Sequence, residues 1–206
     1  MNYLGHLFLA ERWAAAAGED AEPWRLGAWL SDFTRVDGLA AWPAPVQREI
    51  RRHWRLDTLT DTHPGVRAVR ARFPDGLRRF SGIVLDLHLD HVLARDWARW
   101  HPEPLDAFAA RAYATLDAHH DALPPGLRVL APRIIERDWL GSYRQRDNVD
   151  HAVTRIARRL SRGGEGLIAC LPTLREHEAE AEAYFEVFFP ELRAFVSETR
   201  RALLPH

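Results

Sequence analysis

No lysine occurs in the chain; all 28 of its basic residues are arginine. Asparagine is confined to Asn2 and Asn148 and alanine is abundant, a bias that reads as GC-rich coding rather than chemistry. The single cysteine, Cys170, excludes an intramolecular disulfide and a cysteine-rich zinc site and fits a reducing compartment. Beside Leu171 and Pro172 it reads as an inert core thiol. No apolar run approaches the roughly 20 residues that span a bilayer, and Met1–His6 lacks the basic start of a signal peptide. The expectation is a soluble cytoplasmic protein with no membrane partner. A formal net charge of −1 leaves no overall basic field for nucleic acid. Also missing are a GxxxxGK[ST] phosphate loop, a GxGxxG turn and an HExxH pair. Ser31, Ser81 and Ser142 have no nucleophile-elbow context. No alternating β-branched series and no internal repeat is present.

What is present is helical periodicity over 206 residues, 47% of them hydrophobic and 28% charged, enough for a real core. Residues 3–16 form an apolar first helix ending near Gly18. Pro23 opens a second, and Pro43 and Pro45 a third that Pro64 ends or bends. A short arginine-rich helix runs to Phe73. Residues 80–100 read as a central helix, apolar nearly all round. Further helices are expected at 104–121, 128–138 and 145–162, then a long final one over 173–203 interrupted near Pro190. The fold class is all-α: a single domain, 1–206, of about eight helices.

Several polar residues stand on faces that should turn inward. On the third helix His53, Asp57 and Asp61 fall within about 80° of one another, in the arc of Val46, Ile50 and Trp54. On the central helix Asp86 and Asp90 share the arc of Ile83, Leu93 and Trp97, with His91 about 100° further round. Each buried charge costs several kcal/mol unless paired or metal-bound. Arginine ion pairs would satisfy the acids; so would a divalent metal, for which Asp and His are ligands. His6 in the apolar first helix and Asp32 near the end of the second complete the candidates. Four helical segments thus each send a His or Asp inward, as helix bundles do at metal sites.

These residues resemble a known family. Asn2-x-Leu4-x-His6-Leu7-x-Leu9-Ala10, the pair Asp32-Phe33, and His53-x2-Leu56-Asp57-x2-Thr60-Asp61 are similar to the acyl carrier protein phosphodiesterases. So are the central helix, with Leu85-Asp86-x3-Asp90-His91-x-Leu93 and Trp97, and the segment Trp139-Leu140-x2-Tyr143-Arg144-x2-Asp147. The resemblance implies an all-helical, divergent HD-type metal phosphohydrolase of lipid metabolism. Its reaction is hydrolysis of the phosphodiester joining 4′-phosphopantetheine to a serine of holo-acyl carrier protein, releasing apo-protein, with Mn²⁺ or Mg²⁺ activating water. His6, Asp32, Asp90 and His91 are then the expected metal ligands. His53, Asp57, Asp61 and Asp86 are expected as acid–base groups, outer partners or ligands of a second ion. Asp90-His91 reverses the usual His-Asp order of the HD superfamily, and Trp54 stands where Arg is expected. His63 and His88 fall outside the motif. Two other functions share these residues: an HD-type nucleotide or small-molecule phosphohydrolase, and a non-catalytic helical metal-binding module.

Acyl carrier proteins are acidic, so the resemblance also implies a local basic surface. Residues 133–162 carry eight arginines against four acids. Arg144, Arg146, Arg155, Arg158 and Arg159 are the candidate docking residues; Arg155, Arg158 and Arg159 lie largely off the Val149, Val153, Ile156, Leu160 face. Seven glutamates in 174–198 are the competing partners within the fold.

Overall fold

The computed structural model describes residues 1–203, with side chains as far as Phe195. Among the described residues are thirteen α-helices, three short 3₁₀ segments and no strand. The first half of the chain holds α1 (Tyr3–Ala17), α2 (Glu22–Leu30), α3 (Ala44–Thr62), α4 (Pro64–Ala71), α5 (Arg78–Arg95) and α6 (Trp97–Trp100). The second half holds α7 (Leu105–Ala118), α8 (Pro125–Glu136), α9 (Trp139–Ser142), α10 (Asp147–Arg159), α11 (Gly164–Ile168), α12 (Leu171–Glu176) and α13 (Glu178–Leu203). The 3₁₀ segments are Ser31–Phe33, Val36–Ala41 and His120–Ala122.

The excess over eight helices comes from single turns. The expected helix at 80–100 is α5 followed by α6; Asp96, with φ −101° and ψ 21°, leaves the helical path between them. At the C-terminal end the break falls at His177, between α12 and α13, and not at Pro190, which α13 carries internally. A proline inside a helix costs about 3 kcal/mol. Here Phe185, Phe188 and Phe189 before it and Leu192 after it are all buried, and that packing holds the helix through the proline.

Helix α5 is the axis of the molecule. It packs against α1, α4, α10, α11, α12 and α13, and Val84 through Ala94 are buried except Asp86. Helix α1 lies between α2, α5 and α13; α3 packs on α2. Most of the tryptophans serve the core, Trp13, Trp24, Trp29, Trp97 and Trp139 being buried. Cys170 is a buried free thiol, as its neighbours suggested. No helix among the described residues is long and apolar enough to cross a membrane.

One buried charge is unrelated to the clustered acids. Glu49 of α3 is fully buried, and neither carboxyl oxygen has a hydrogen-bond partner. It faces Gly27 of α2, where a Cβ would lie 2.6 Å from that of Glu49, so only glycine admits this approach. Burial pushes the Glu49 pKa well up, against a weaker pull from Arg52. The folded state therefore favours the neutral acid. Its penalty is absent below the ordinary carboxylate range and grows as pH rises toward the raised pKa. Glu49→Met, which removes the orphaned group at similar volume, should stabilise the protein by roughly 1–3 kcal/mol at pH 8. Thermal unfolding should show that gain shrinking toward pH 4.5.

Candidate active site

A cleft of about 380 Å³ opens between the first half of the chain and α9–α10. Its floor comes from α1, the turn after α2, α3 and α5, which supply His6, Asp32, His53, Asp57, Asp61 and Asp86. Six of the eight clustered His and Asp residues thus meet in one cavity.

Three of them converge. Ligand-capable atoms of His6, His53 and Asp57 all lie within 4.8 Å of one another. His6 Nε2 is 3.0 Å from Asp57 Oδ1, and His53 Nε2 is 3.5 Å from Asp57 Oδ2. The two imidazoles stack, with centroids 3.5 Å apart and planes 12° from parallel. Asp32 Oδ1 stands 3.8 Å from His53 Nε2. One turn of α3 separates His53 from Asp57, which is why an i, i+4 pair serves both rings.

Electrostatics keep the imidazoles neutral. Burial lowers the His6 pKa to about 3, helped by the N-terminal ammonium. Burial and the neighbouring His6 hold His53 well below its usual value. Two stacked rings cannot both be charged, and both keep lone pairs at neutral pH. Their Nδ1 atoms are buried without hydrogen-bond partners. Asp32 reaches solvent at the mouth. Withdrawal into the cleft and the charges of Asp57 and Asp86 raise its pKa to about 6. Two imidazoles with facing carboxylates make a donor set suited to a borderline divalent cation, so these residues fit a metal.

Asp61 and Asp86 border the same cavity but already hold cations. Asp61 pairs with Arg70 at 3.1 Å. Asp86 pairs with the Met1 ammonium at 2.7 Å.

Asp90 and His91 are not brought to the cluster. Asp90 is completely buried beneath α1, where its carboxylate accepts the N–H groups of Asn2 (3.2 Å), Leu4 (2.8 Å) and Gly5 (3.1 Å). Burial raises its pKa to about 7, with the ammonium and the Leu4 and Gly5 donors pulling the other way. A Cβ at position 5 would lie 3.2 Å from Asp90 Oδ1 and 2.8 Å from Met1 Sδ, so glycine permits the approach. His91 is tied through Nδ1 to the Tyr143 carbonyl at 2.7 Å. The departure from the sequence expectation has a plain cause: helical phase gives the direction of a side chain and not its depth, and at Asp90 the first turn of α1 lies over α5.

The five docking candidates also divide. Arg144 pairs with Asp106, and Arg146 with Asp150 and Glu178, so the final helix does neutralise part of this surface. Arg158 is exposed. Arg155 and Arg159 line the cleft.

Comparison with known proteins gives the family. A family model for acyl carrier protein phosphodiesterase matches residues 1–192. The chain belongs to that family. Among curated relatives, the acyl carrier protein phosphodiesterase of Salmonella dublin is 31% identical, covering 98% of this chain and 100% of its own. That of Serratia proteamaculans is 32% identical, covering 93% and 95%. No solved structure matches the chain.

Beyond the acids and histidines that the sequence pointed to in this member of the family, the cleft is lined by Tyr3, Trp139 and Tyr143 and by the Met1 amine. The segment from Trp139 to Tyr143 was visible as a motif, but nothing in its spacing showed that it faces the first helix. The structure shows the link: Asn2 Nδ2 donates to the Tyr143 hydroxyl at 2.9 Å.

Two substitutions separate site from scaffold. Asp57→Asn should weaken Mn²⁺ binding at least about tenfold with the melting temperature little changed, followed by electron paramagnetic resonance titration and calorimetry. Asp90→Ala, which strands three N–H groups, should instead cost roughly 3 kcal/mol of stability. Equal melting temperatures for the two variants would contradict that division.

Proposed function

We propose that this protein hydrolyses the phosphodiester between 4′-phosphopantetheine and a serine of holo-acyl carrier protein, releasing apo-protein. The observation that carries the reading is the convergence of His6, His53 and Asp57 in an open cleft of a chain that belongs to the acyl carrier protein phosphodiesterase family. His6, His53 and Asp57 would hold a divalent cation, with Asp32 beside them. The imidazoles favour Mn²⁺ over Mg²⁺. When bound, the cation supplies Lewis acidity to a phosphoryl oxygen and acidifies water.

The chain's own residues do the rest. A water oxygen bonds to phosphorus as the bond from phosphorus to the serine oxygen breaks. The proton lost by the water balances the one taken up by serine. Asp32, at the mouth of the cleft 3.8 Å from His53, is the carboxyl placed to move that proton. Asp57 spans both imidazoles and fixes their rotation. Asp61 and Asp86 are held in place by Arg70 and the Met1 ammonium and frame the floor.

Asp90 and His91 act in this reading as anchors of α1 and of Tyr143, in place of the ligand role the sequence suggested for them. Paired His and Asp side chains on neighbouring helices support kinship with HD-type phosphohydrolases. A core drawn from helices at both ends of the chain supports one catalytic domain. The buried thiol Cys170 fits a cytoplasmic location. Arg158, exposed beside the cleft's α10 rim, is the remaining candidate for steering an acidic carrier.

Mass spectrometry of holo-carrier incubated with the protein and Mn²⁺ should show loss of the phosphopantetheine mass. Exhaustive chelation should stop the loss and Mn²⁺ restore it. Arg158→Glu should raise KM for holo-carrier, and wild-type KM should climb with ionic strength. Intact holo-carrier after prolonged incubation, or full turnover in metal-free protein, would refute the proposal.

A further inference from the structure

The imidazole and carboxylate groups account for the floor of the cleft but not for its arginines. Helix α10 presents Arg155 and Arg159 one turn apart, and both line the cavity. They share an aromatic platform: their guanidinium carbons lie 4.6 and 6.0 Å from the ring centroid of Trp139. That platform is fixed from behind. Asp138 takes a left-handed conformation, φ 43°, and caps α9 by accepting the Gly141 N–H at 3.1 Å. The Tyr113 hydroxyl donates to Asp138 at 2.8 Å and accepts the Leu140 N–H at 2.7 Å.

Neither guanidinium forms an ion pair among the described residues, although Arg144, Arg146 and Arg175 close by in sequence or space each find a carboxylate. Arg155 Nε is buried and has no hydrogen-bond partner. Burial and the like charges of Arg159 and Arg137 disfavour the Arg155 cation. Two guanidinium groups held together on one ring, with unspent donors, lack an anion. The same cavity offers a cation-holding cluster at His6, His53 and Asp57. A ligand that reaches both needs several oxygens spread over one centre. Phosphoryl groups have that shape, and the fork of arginine matches their edge.

We propose that Arg155 and Arg159 form a phosphoryl-oxygen subsite, with the neutral arm of the substrate lying along Tyr3, Ile83 and Ile156. The released phosphomonoester carries more negative charge than the diester, so it binds there more tightly and inhibits the enzyme as product. The inference rests on the phosphodiesterase reading and assigns the groups that grip the phosphate within it. These two arginines then meet the small prosthetic group and not the carrier's surface.

The test is calorimetric titration of the Mn²⁺-supplemented protein with inorganic phosphate and with 4′-phosphopantetheine. Arg155→Met and Arg159→Met should each weaken both ligands at least about tenfold, about 1.4 kcal/mol. Arg155→Lys should recover part of the loss, and Mn²⁺ affinity should stay at the wild-type value. Holo-carrier KM should rise more than kcat falls. If Arg155→Met loses its helical circular dichroism, Arg159→Met, at the exposed rim, decides alone. Phosphomonoester binding within twofold of wild type in the folded variants overturns the subsite, whatever happens to KM for holo-carrier. Arginine-dependent phosphate binding by a wild-type protein that leaves holo-carrier intact upholds the subsite and removes the substrate reading instead.

Discussion

The buried carboxylate of Asp90 is the contact on which the site depends. The first turn of any helix leaves N–H groups without intrahelical partners. In α1 those groups are satisfied by an acid from α5, 85 to 88 residues distant in sequence. This fixes the axial position of α1 against the central helix, and three consequences follow from it. The Met1 amine is delivered to Asp86, His6 is set face to face with His53, and Asn2 reaches Tyr143. Floor and wall of the cleft are thus both referred to one end of one helix. His91, the next residue, holds the Tyr143 carbonyl from the other side.

Charge in the cleft is arranged in two unlike halves. The floor carries carboxylates and neutral imidazoles; α10 carries guanidinium groups stacked on Trp139. The two halves line one cavity, and each is incomplete in an opposite sense. The floor wants a cation and the wall an anion. On the proposed reading, a phosphate ester brought together with a metal ion would complete both halves at once, which neither would do alone. The rest of the arginine-rich surface is quieter than composition suggests, because Arg95, Arg99 and Arg146 are paired to Glu182, Glu186 and Glu178 along α13.

How far the sequence revealed this can be followed residue by residue. Helix starts at Pro23 and Pro45 and the ends at Gly18 and Pro64 were legible because those residues act locally. His53 and Asp57 were legible because two polar groups on an apolar arc need a reason within one turn. Asp90 lay in the same kind of arc as Asp86, yet the two differ in depth, and depth depends on which helix end arrives from elsewhere in the chain. A cap supplied across space leaves no signature near the helix it caps. Arg155 was legible as a docking candidate but not as a lining of the cleft, for the converse reason: it is polar, off the apolar face, and is half-buried where Trp139 is placed under it by the turn at Asp138. Pro190 shows that packing by four large apolar side chains overrides a local breaker.

The two halves of the cleft also differ in when they exist. Every imidazole and carboxylate of the floor lies within the first 86 residues, whereas Trp139, Arg155 and Arg159 come much later. At ribosomal speeds of roughly 5–20 residues per second, the residues of the floor are made several seconds ahead of α10. For that interval the nascent chain carries the acids and imidazoles of the floor without the arginines that line the same cavity. Helix α13, made later still, packs on α1, α4 and α5, so the floor is itself without one of its supports until the final helix arrives.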